Sequence, residues 1–352
     1  MNRPVIFDGH NDTLLNLYLP QRGQGRSFFE QSEIGHIDLP RARKGNWGGG
    51  FFAIFVPAPE ARNDLKVSIQ LAGKSIEMPA PIDPDDALEM TRAMIKLLFE
   101  IEKNSQAQVK VVRTVNELTN CLEAEVLAAV MHFEGAEAID TDLKRLQEFY
   151  ELGLRSLGLV WSRANAFGCG VPFMVNYSPD TGPGLTAAGK ELVKACNSLG
   201  IMIDLSHLNE KGFWDVAKIS DKPLVATHSC VHAISPKPRN LLDKQLDAIA
   251  DSSGVVGLNF CVADWRPDGQ SIEETPLSCL ADHIDYMVER IGIDHVALGS
   301  DFDGAPMCNK MSDVTKLPGL IDLLSQRGYD QPALQKICWA NWISLLKRTW
   351  GT

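Results

Sequence analysis

The sequence predicts an α/β fold, a (β/α)8 TIM barrel, and three observations carry that expectation. Short β-branched apolar runs recur eight times, segments with helical apolar spacing separate most of them, and the runs end in Gly, His, Asp or Glu. A run that is apolar throughout suits a parallel strand covered on both faces. Strands of this kind alternating with helices make an α/β fold, and eight of them make a barrel.

In chain order the strand-like runs are Val5 to Asp8, Phe51 to Val56, Val126 to Phe133 and Ser156 to Trp161. Ile201 to Ser206, Leu224 to His228, Val255 to Phe260 and Val296 to Ser300 follow. Helical periodicity marks Ala87 to Ile101, Leu143 to Leu152, Thr186 to Leu199 and Ile284 to Ile291, with a closing helix over Pro332 to Arg348. An open doubly wound sheet would place a Gly-rich phosphate turn after its first strand. That strand here runs into DGHND instead.

One barrel domain over residues 1–352 accounts for the pattern, with surface insertions near 57–86 and 168–184, both rich in Pro. Both leave strands at their C-terminal ends, where barrel sites lie, so they read either as part of a site's rim or as plain insertions. No internal repeat or low-complexity tract is present.

With 45% hydrophobic and 22% charged residues the chain has the composition of a packed globular protein. A net charge of −11 argues against nucleic acid or an anionic membrane as partner, because both require clustered Lys and Arg. The eight cysteines are scattered without a C-x-x-C pair, as reduced thiols are. The start, MNRPVIFDGHND, lacks the apolar core of a signal peptide. No stretch approaches the roughly 20 apolar residues of a membrane helix. Cytoplasmic residence is the expectation.

Three of the eight histidines, His10, His207 and His228, fall at the ends of expected strands. A single strand-end histidine is ordinarily structural, whereas three on one barrel rim point to metal. His10 and Asp12 are two apart, so an extended backbone aims both the same way. Alone, Asp12 would read as a turn or helix cap. Glu134 ends the third run, and its two oxygens suit a bridge between ions about 3.5 to 4 Å apart. An ion pair with Arg is the alternative for Glu134. His132, deeper on the same strand face, reads as a core or supporting histidine.

Asp301, in GSDFDG, is placed to accept a proton from a metal-activated water and return it to a leaving amine. Asp303, before Gly304, reads as a turn former. Arg239, in PKPRN, offers a planar fork for a substrate carboxylate, although most such arginines are surface charges.

The motifs FDGHND, HFEG, IDLSH, THS, PRN and GSDFDG, in this order and across nearly the whole chain, closely resemble the membrane (renal) dipeptidase family. The resemblance implies a binuclear zinc site in which His10, Asp12 and Glu134 hold one ion and Glu134, His207 and His228 the other. It further implies Asp301 as proton shuttle, Arg239 as the grip on the substrate's C-terminal carboxylate, and hydrolysis of a dipeptide amide by a metal-bridging hydroxide. The family tolerates a D-residue on the C-terminal side and, in animals, some β-lactams. A homodimer follows from analogy alone. The animal relatives' leader and lipid-anchor signal are missing, which looks like a soluble bacterial type.

One position departs from the family. Where the animal enzyme has a His that polarises the scissile carbonyl, this chain has Trp161, in LGLVWSRAN. The oxyanion donor must then be Arg163, Asn165 or the metal itself, and substrate identity loosens accordingly. Two competing functions remain: an N-acyl amino acid amidase or lactam or lactone hydrolase using the same metals, and a catalytically silent metal-binding barrel. Retention of Asp301 argues against the silent form. Manganese or cobalt would suit the same donors as zinc.

Overall fold

The computed structural model describes residues 3–59, 62 and 78–351. Its strands are β1 (Ile6–Asn11), β2 (Trp47–Phe55), β3 (Val109–Val111), β4 (Leu127–Glu134), β5 (Leu154–Gly158), β6 (Met202–Asp204), β7 (Val225–Ser229), β8 (Val255–Leu258) and β9 (Val296–Leu298). All pair in parallel, in the order β1-β2-β4-β5-β6-β7-β8-β9, with β3 beside β4. The chain beyond β9 returns to β1: Asn11 bridges Phe302, and the Asp301 N–H donates to the His10 carbonyl at 2.9 Å. Asp8 ties the same seam, accepting from the Ser300 N–H and hydroxyl, each at 2.6 Å. The ring is a nearly closed (β/α)8 barrel, as the alternation of runs and helices led us to expect.

Strand ends shift from the sequence reading, with β1 reaching Asn11 and β2 beginning at Trp47, and two further details differ. A ninth strand, β3, was not foreseen, because three residues of VKV show no usable period. It pairs with Leu127 to Ala129 of β4 while β5 takes Met131 to Glu134 farther along, so two short strands share one edge. The run placed at Ser156 to Trp161 begins earlier and ends at Gly158, the last residue paired to both β4 and β6. Trp161 therefore lies in the loop beyond β5 and not at a strand end.

Strand β4 shows how the barrel is layered. Leu127, Ala129, Met131 and Phe133 pack outward into the core shared with the helices. Ala128 and Val130 point inward with Phe7, Phe51, Met202, Val225, Val255 and Ala297. Period-two alternation then carries His132 to mid-barrel and Glu134 to the mouth. Trp342 plugs the floor, its ring 5.3 Å from Phe51 and its Nε1–H donating to the Leu298 carbonyl at 3.1 Å. It belongs to the closing segment, where a π-helical turn (Lys336–Ala340) joins helices Gln331–Gln335 and Asn341–Trp350.

The other expected helices appear as Pro84–Asn104, Lys144–Leu152, Ala187–Leu199 and Leu277–Ile291. Within the insertion at 57–86, residues 60, 61 and 63–77 lie outside the described residues. The insertion at 168–184 runs along the mouth. The Val171 N–H donates to the His207 carbonyl at 3.0 Å and the Asn176 N–H to the Pro236 carbonyl at 2.7 Å. Among the described residues no helix is long and apolar enough to cross a membrane.

Candidate metal centre

The barrel brings the five expected ligands together at its C-terminal mouth, none more than 6% exposed. His10 Nε2 lies 3.3 Å from Asp12 Oδ2 and 3.8 Å from Glu134 Oε2. Glu134 Oε1 faces the other way, 3.0 Å from His207 Nε2 and 3.5 Å from His228 Nε2. The two histidine nitrogens are 3.2 Å apart, and the His10 ring stacks on His228 with centroids 3.7 Å apart. Each oxygen of Glu134 thus serves a different set of donors. Two trios form, His10–Asp12–Glu134 and Glu134–His207–His228, each able to hold a cation.

Neighbouring hydroxyls orient the imidazoles. Asp204 accepts from the Ser206 N–H (3.0 Å), the Thr227 N–H (2.8 Å) and the Thr227 hydroxyl (2.6 Å). Having given its proton to Asp204, the Thr227 hydroxyl accepts from His228 Nδ1, 2.9 Å away. The proton then sits on Nδ1, and the Nε2 lone pair points into the cluster. Ser162 Oγ lies 2.8 Å from His207 Nδ1 and occupies that ring's outer nitrogen likewise. Both His207, at φ 67°, and Asp301, at φ 59°, adopt the left-handed region that non-glycine residues avoid. Strain of this kind collects at functional sites.

The electrostatics fit a cation-binding role. Burial pushes the Glu134 carboxyl well above its usual range, and Asp12 and Asp301 push it further. Burial likewise raises Asp301 to about 7, with Asp12 adding to it. For His10 burial opposes protonation, but Glu134, Asp12 and Asp301 outweigh it and lift the ring to about 10. Without a cation, a proton on His10 offsets the buried carboxylates. Burial holds His207 and His228 well below the usual range, as neutral donors. His10 Nε2 and Asp12 Oδ1 are buried without a hydrogen-bond partner, an unusual state unless a metal is their partner. Imidazole with carboxylate is a donor set that divalent zinc accepts.

His132, Asp204 and His10 also lie close together. Asp204, however, is already filled by three donors, and His132 Nδ1 is 2.8 Å from Ser156 Oγ. Burial takes His132 down to about 3, so it is a neutral support below the cluster.

Asp301 sits across the seam from His10, and Asn259 donates to its Oδ2 at 3.0 Å. Arg239, buried, donates through Nη1 to Ser229 Oγ (2.9 Å) and through Nη2 to the His228 carbonyl (2.5 Å), and its charge acts on Glu134 and Asp301. Trp161 packs beside His207 at 5.9 Å between ring centroids. Arg163 is fully buried behind it: Nε donates to Glu137 (2.8 Å), Nη2 to the Val56 carbonyl (2.7 Å), and Nη1 has no partner. Asn165 serves its own loop, donating to the Leu159 carbonyl and accepting from the Phe167 and Gly168 N–H groups.

Asp204, Thr227, Ser162 and Asn259 were not singled out in the sequence. Asn259 carried a usable signal, since it is a polar residue in the apolar run Val255 to Phe260. The others lie inside motifs already noted, where nothing distinguishes a supporting hydroxyl from a spacer.

A (β/α)8 barrel with histidines and carboxylates converging at its mouth defines a metal-dependent hydrolase. The chain belongs to the membrane dipeptidase family (peptidase family M19), whose model matches residues 1–350. It is a metallopeptidase of the dipeptidase type. A metallo peptidase from Rhodobacter sphaeroides, solved with a phosphinate mimic of the dipeptide L-Ala-D-Ala, is 46% identical with a TM-score of 0.94, covering 99% of this chain and 100% of that one. The dipeptidase AC, also of family M19, is 45% identical with a TM-score of 0.94 over 100% of both chains. An uncharacterized protein encoded in the pqqA 5′ region of Klebsiella pneumoniae is 48% identical over 270 residues, 77% of this chain and 98% of that protein.

Proposed function

We propose that the enzyme hydrolyses dipeptides, L-Xaa-D-Xaa as well as L-Xaa-L-Xaa, with two zinc ions held by His10, Asp12, Glu134, His207 and His228. The observation that carries this reading is Glu134, whose Oε2 faces His10 while Oε1 faces His207 and His228. The metal pair, when bound, supplies a water acidic enough to act as nucleophile near neutral pH and a Lewis acid for the scissile carbonyl.

The remaining work falls to this chain's own groups. Arg239 holds the substrate's C-terminal carboxylate and fixes the amide over Glu134. Asn259 occupies Oδ2 of Asp301, which leaves Oδ1 to carry a proton. Asp301 takes that proton from the attacking water and gives it to the departing amine nitrogen as the C–N bond breaks. Tolerance of a D-residue is supported by the L-Ala-D-Ala mimic bound to the Rhodobacter sphaeroides relative. All eight cysteines are free, which suits a reducing compartment and a cytoplasmic location.

The test is a screen of zinc-loaded protein over L,L and L,D dipeptides beside N-acyl amino acids, with metal counted by mass spectrometry. Turnover of dipeptides with two zinc ions per chain is the expected result. No dipeptide turnover by the loaded protein, or turnover of N-acyl amino acids alone, would overturn the reading.

A further inference from the structure

Beside the metal centre stands an apolar wall that the hydrolytic machinery does not use. Trp161, in the loop after β5, packs against Phe55 at the end of β2 and against Phe173 of the 168–184 segment, with centroids 5.0 and 5.4 Å apart. Trp161 and Phe173 each also meet the His207 ring, at 5.9 and 6.0 Å. Both are only partly buried, whereas Phe55 is covered. Aromatic surface left open at a barrel mouth, one ring away from a metal ligand, is surface for a ligand to cover.

The wall is also rigid. The Arg163 guanidinium lies 5.3 Å from the Phe55 ring centroid and 5.2 Å from that of Trp161, and its bonds to Glu137 and Val56 hold it there. Its charge is buried behind the rings, so the face they present is apolar.

Topology sets which part of a substrate arrives. Arg239 follows β7, Glu134 ends β4, and the wall is built from the end of β2 and the chain that leaves β5, the two strands that flank β4. With the C-terminal carboxylate at Arg239 and the amide over Glu134, the substrate crosses the mouth away from β7. Its N-terminal residue then projects toward β2 and β5.

We propose that Phe55, Trp161 and Phe173 form a subsite for the side chain of the substrate's N-terminal residue, selecting dipeptides with a bulky aliphatic or aromatic residue there. This rests on the dipeptidase reading of the metal centre. Each methylene that enters an apolar pocket is worth about tenfold or more in kcat/KM. Leu or Phe therefore outruns Gly, and Asp is disfavoured because the rings strip water from its carboxylate while the Arg163 charge behind them is already paired with Glu137.

The experiment measures kcat/KM of zinc-loaded enzyme for Gly-Ala, Ala-Ala, Leu-Ala, Phe-Ala and Asp-Ala, in wild type, W161A, W161F and F173A. Metal content and circular dichroism are recorded for each variant. Wild type is expected to favour Leu-Ala over Gly-Ala by at least about tenfold, W161A to cut that ratio to about threefold or less, and W161F to keep most of it. F173A lowers the ratio independently and carries the test should W161A not fold. Dipeptide turnover with no apolar preference, or a ratio unchanged in both alanine variants, overturns the subsite alone. No cleavage of any dipeptide by fully loaded wild type sinks the dipeptidase reading and the subsite with it.

Discussion

Thr227 carries no ligand atom, yet it decides what His228 can do. Its hydroxyl gives a proton to Asp204 and takes one from His228 Nδ1, which frees Nε2 for metal. Removing such a supporting partner costs about 10 to 100-fold in metal affinity. Thr227→Val should therefore lower bound zinc from two toward one per chain after dialysis against a weak chelator, and Thr227→Ser should restore it. Equal zinc in all three proteins would refute the relay. Asp301 makes the opposite prediction. Asp301→Asn should abolish dipeptide turnover while both metals stay bound, and an unchanged rate would remove Asp301 from the proton path. The five ligand candidates were legible because strand-end position is written in local sequence. Thr227 and Asn259 were not, because the task of a hydroxyl or an amide depends on partners supplied by other strands.

At the scale of elements, the mouth is held by contacts between loops and the helices outside them. His283, on the helix Leu277–Ile291, accepts from the Val231 N–H at 3.1 Å and lies 3.1 Å from the Trp265 carbonyl, so it is neutral with its proton on Nε2. It thereby joins the exit of β7 to the loop after β8. His283→Ala leaves a buried N–H and a buried carbonyl unpaired, a loss of about 2 to 4 kcal/mol read from denaturant unfolding. Burial lowers the pKa of His283. As pH falls through about 6.5 the unfolded chain takes up the proton first, so the folded state loses stability below that pH. The stability gap between wild type and His283→Ala should accordingly narrow from pH 7 to pH 5. A constant gap would show that His283 titrates alike in the folded and unfolded chain. Helices such as Pro84–Asn104 and Ala187–Leu199 were long enough to show a period, whereas β3, with three residues, was not. The end of β5 escaped because LGLVW stays apolar past Gly158, and only the pairing partners on β4 and β6 mark where the strand stops.

Across the whole molecule, the metal centre draws on β1, β4, β6 and β7 and lies beside the seam where the chain after β9 meets β1. Three carboxylates, the buried Asp12 and Glu134 and the half-buried Asp301, repel one another there unless cations intervene. A metal that binds the folded state alone stabilises it by about 2.7 kcal/mol per site at a hundredfold excess over Kd. Chelation should lower the melting temperature by several degrees and zinc should restore it; a melting temperature indifferent to chelator would separate the centre from the fold. The barrel, its alternation of strands and helices and the candidate ligands near the ends of β1, β4, β6 and β7 were legible in the chain, because apolar periodicity and placement beside a strand are local properties of sequence. The pairing of β3, the hydrogen bonds of Asp204, Thr227 and Asn259, and the meeting of Phe55, Trp161 and Phe173 came only with the closed barrel. Each joins residues far apart in the chain, and closure alone sets the distances between them.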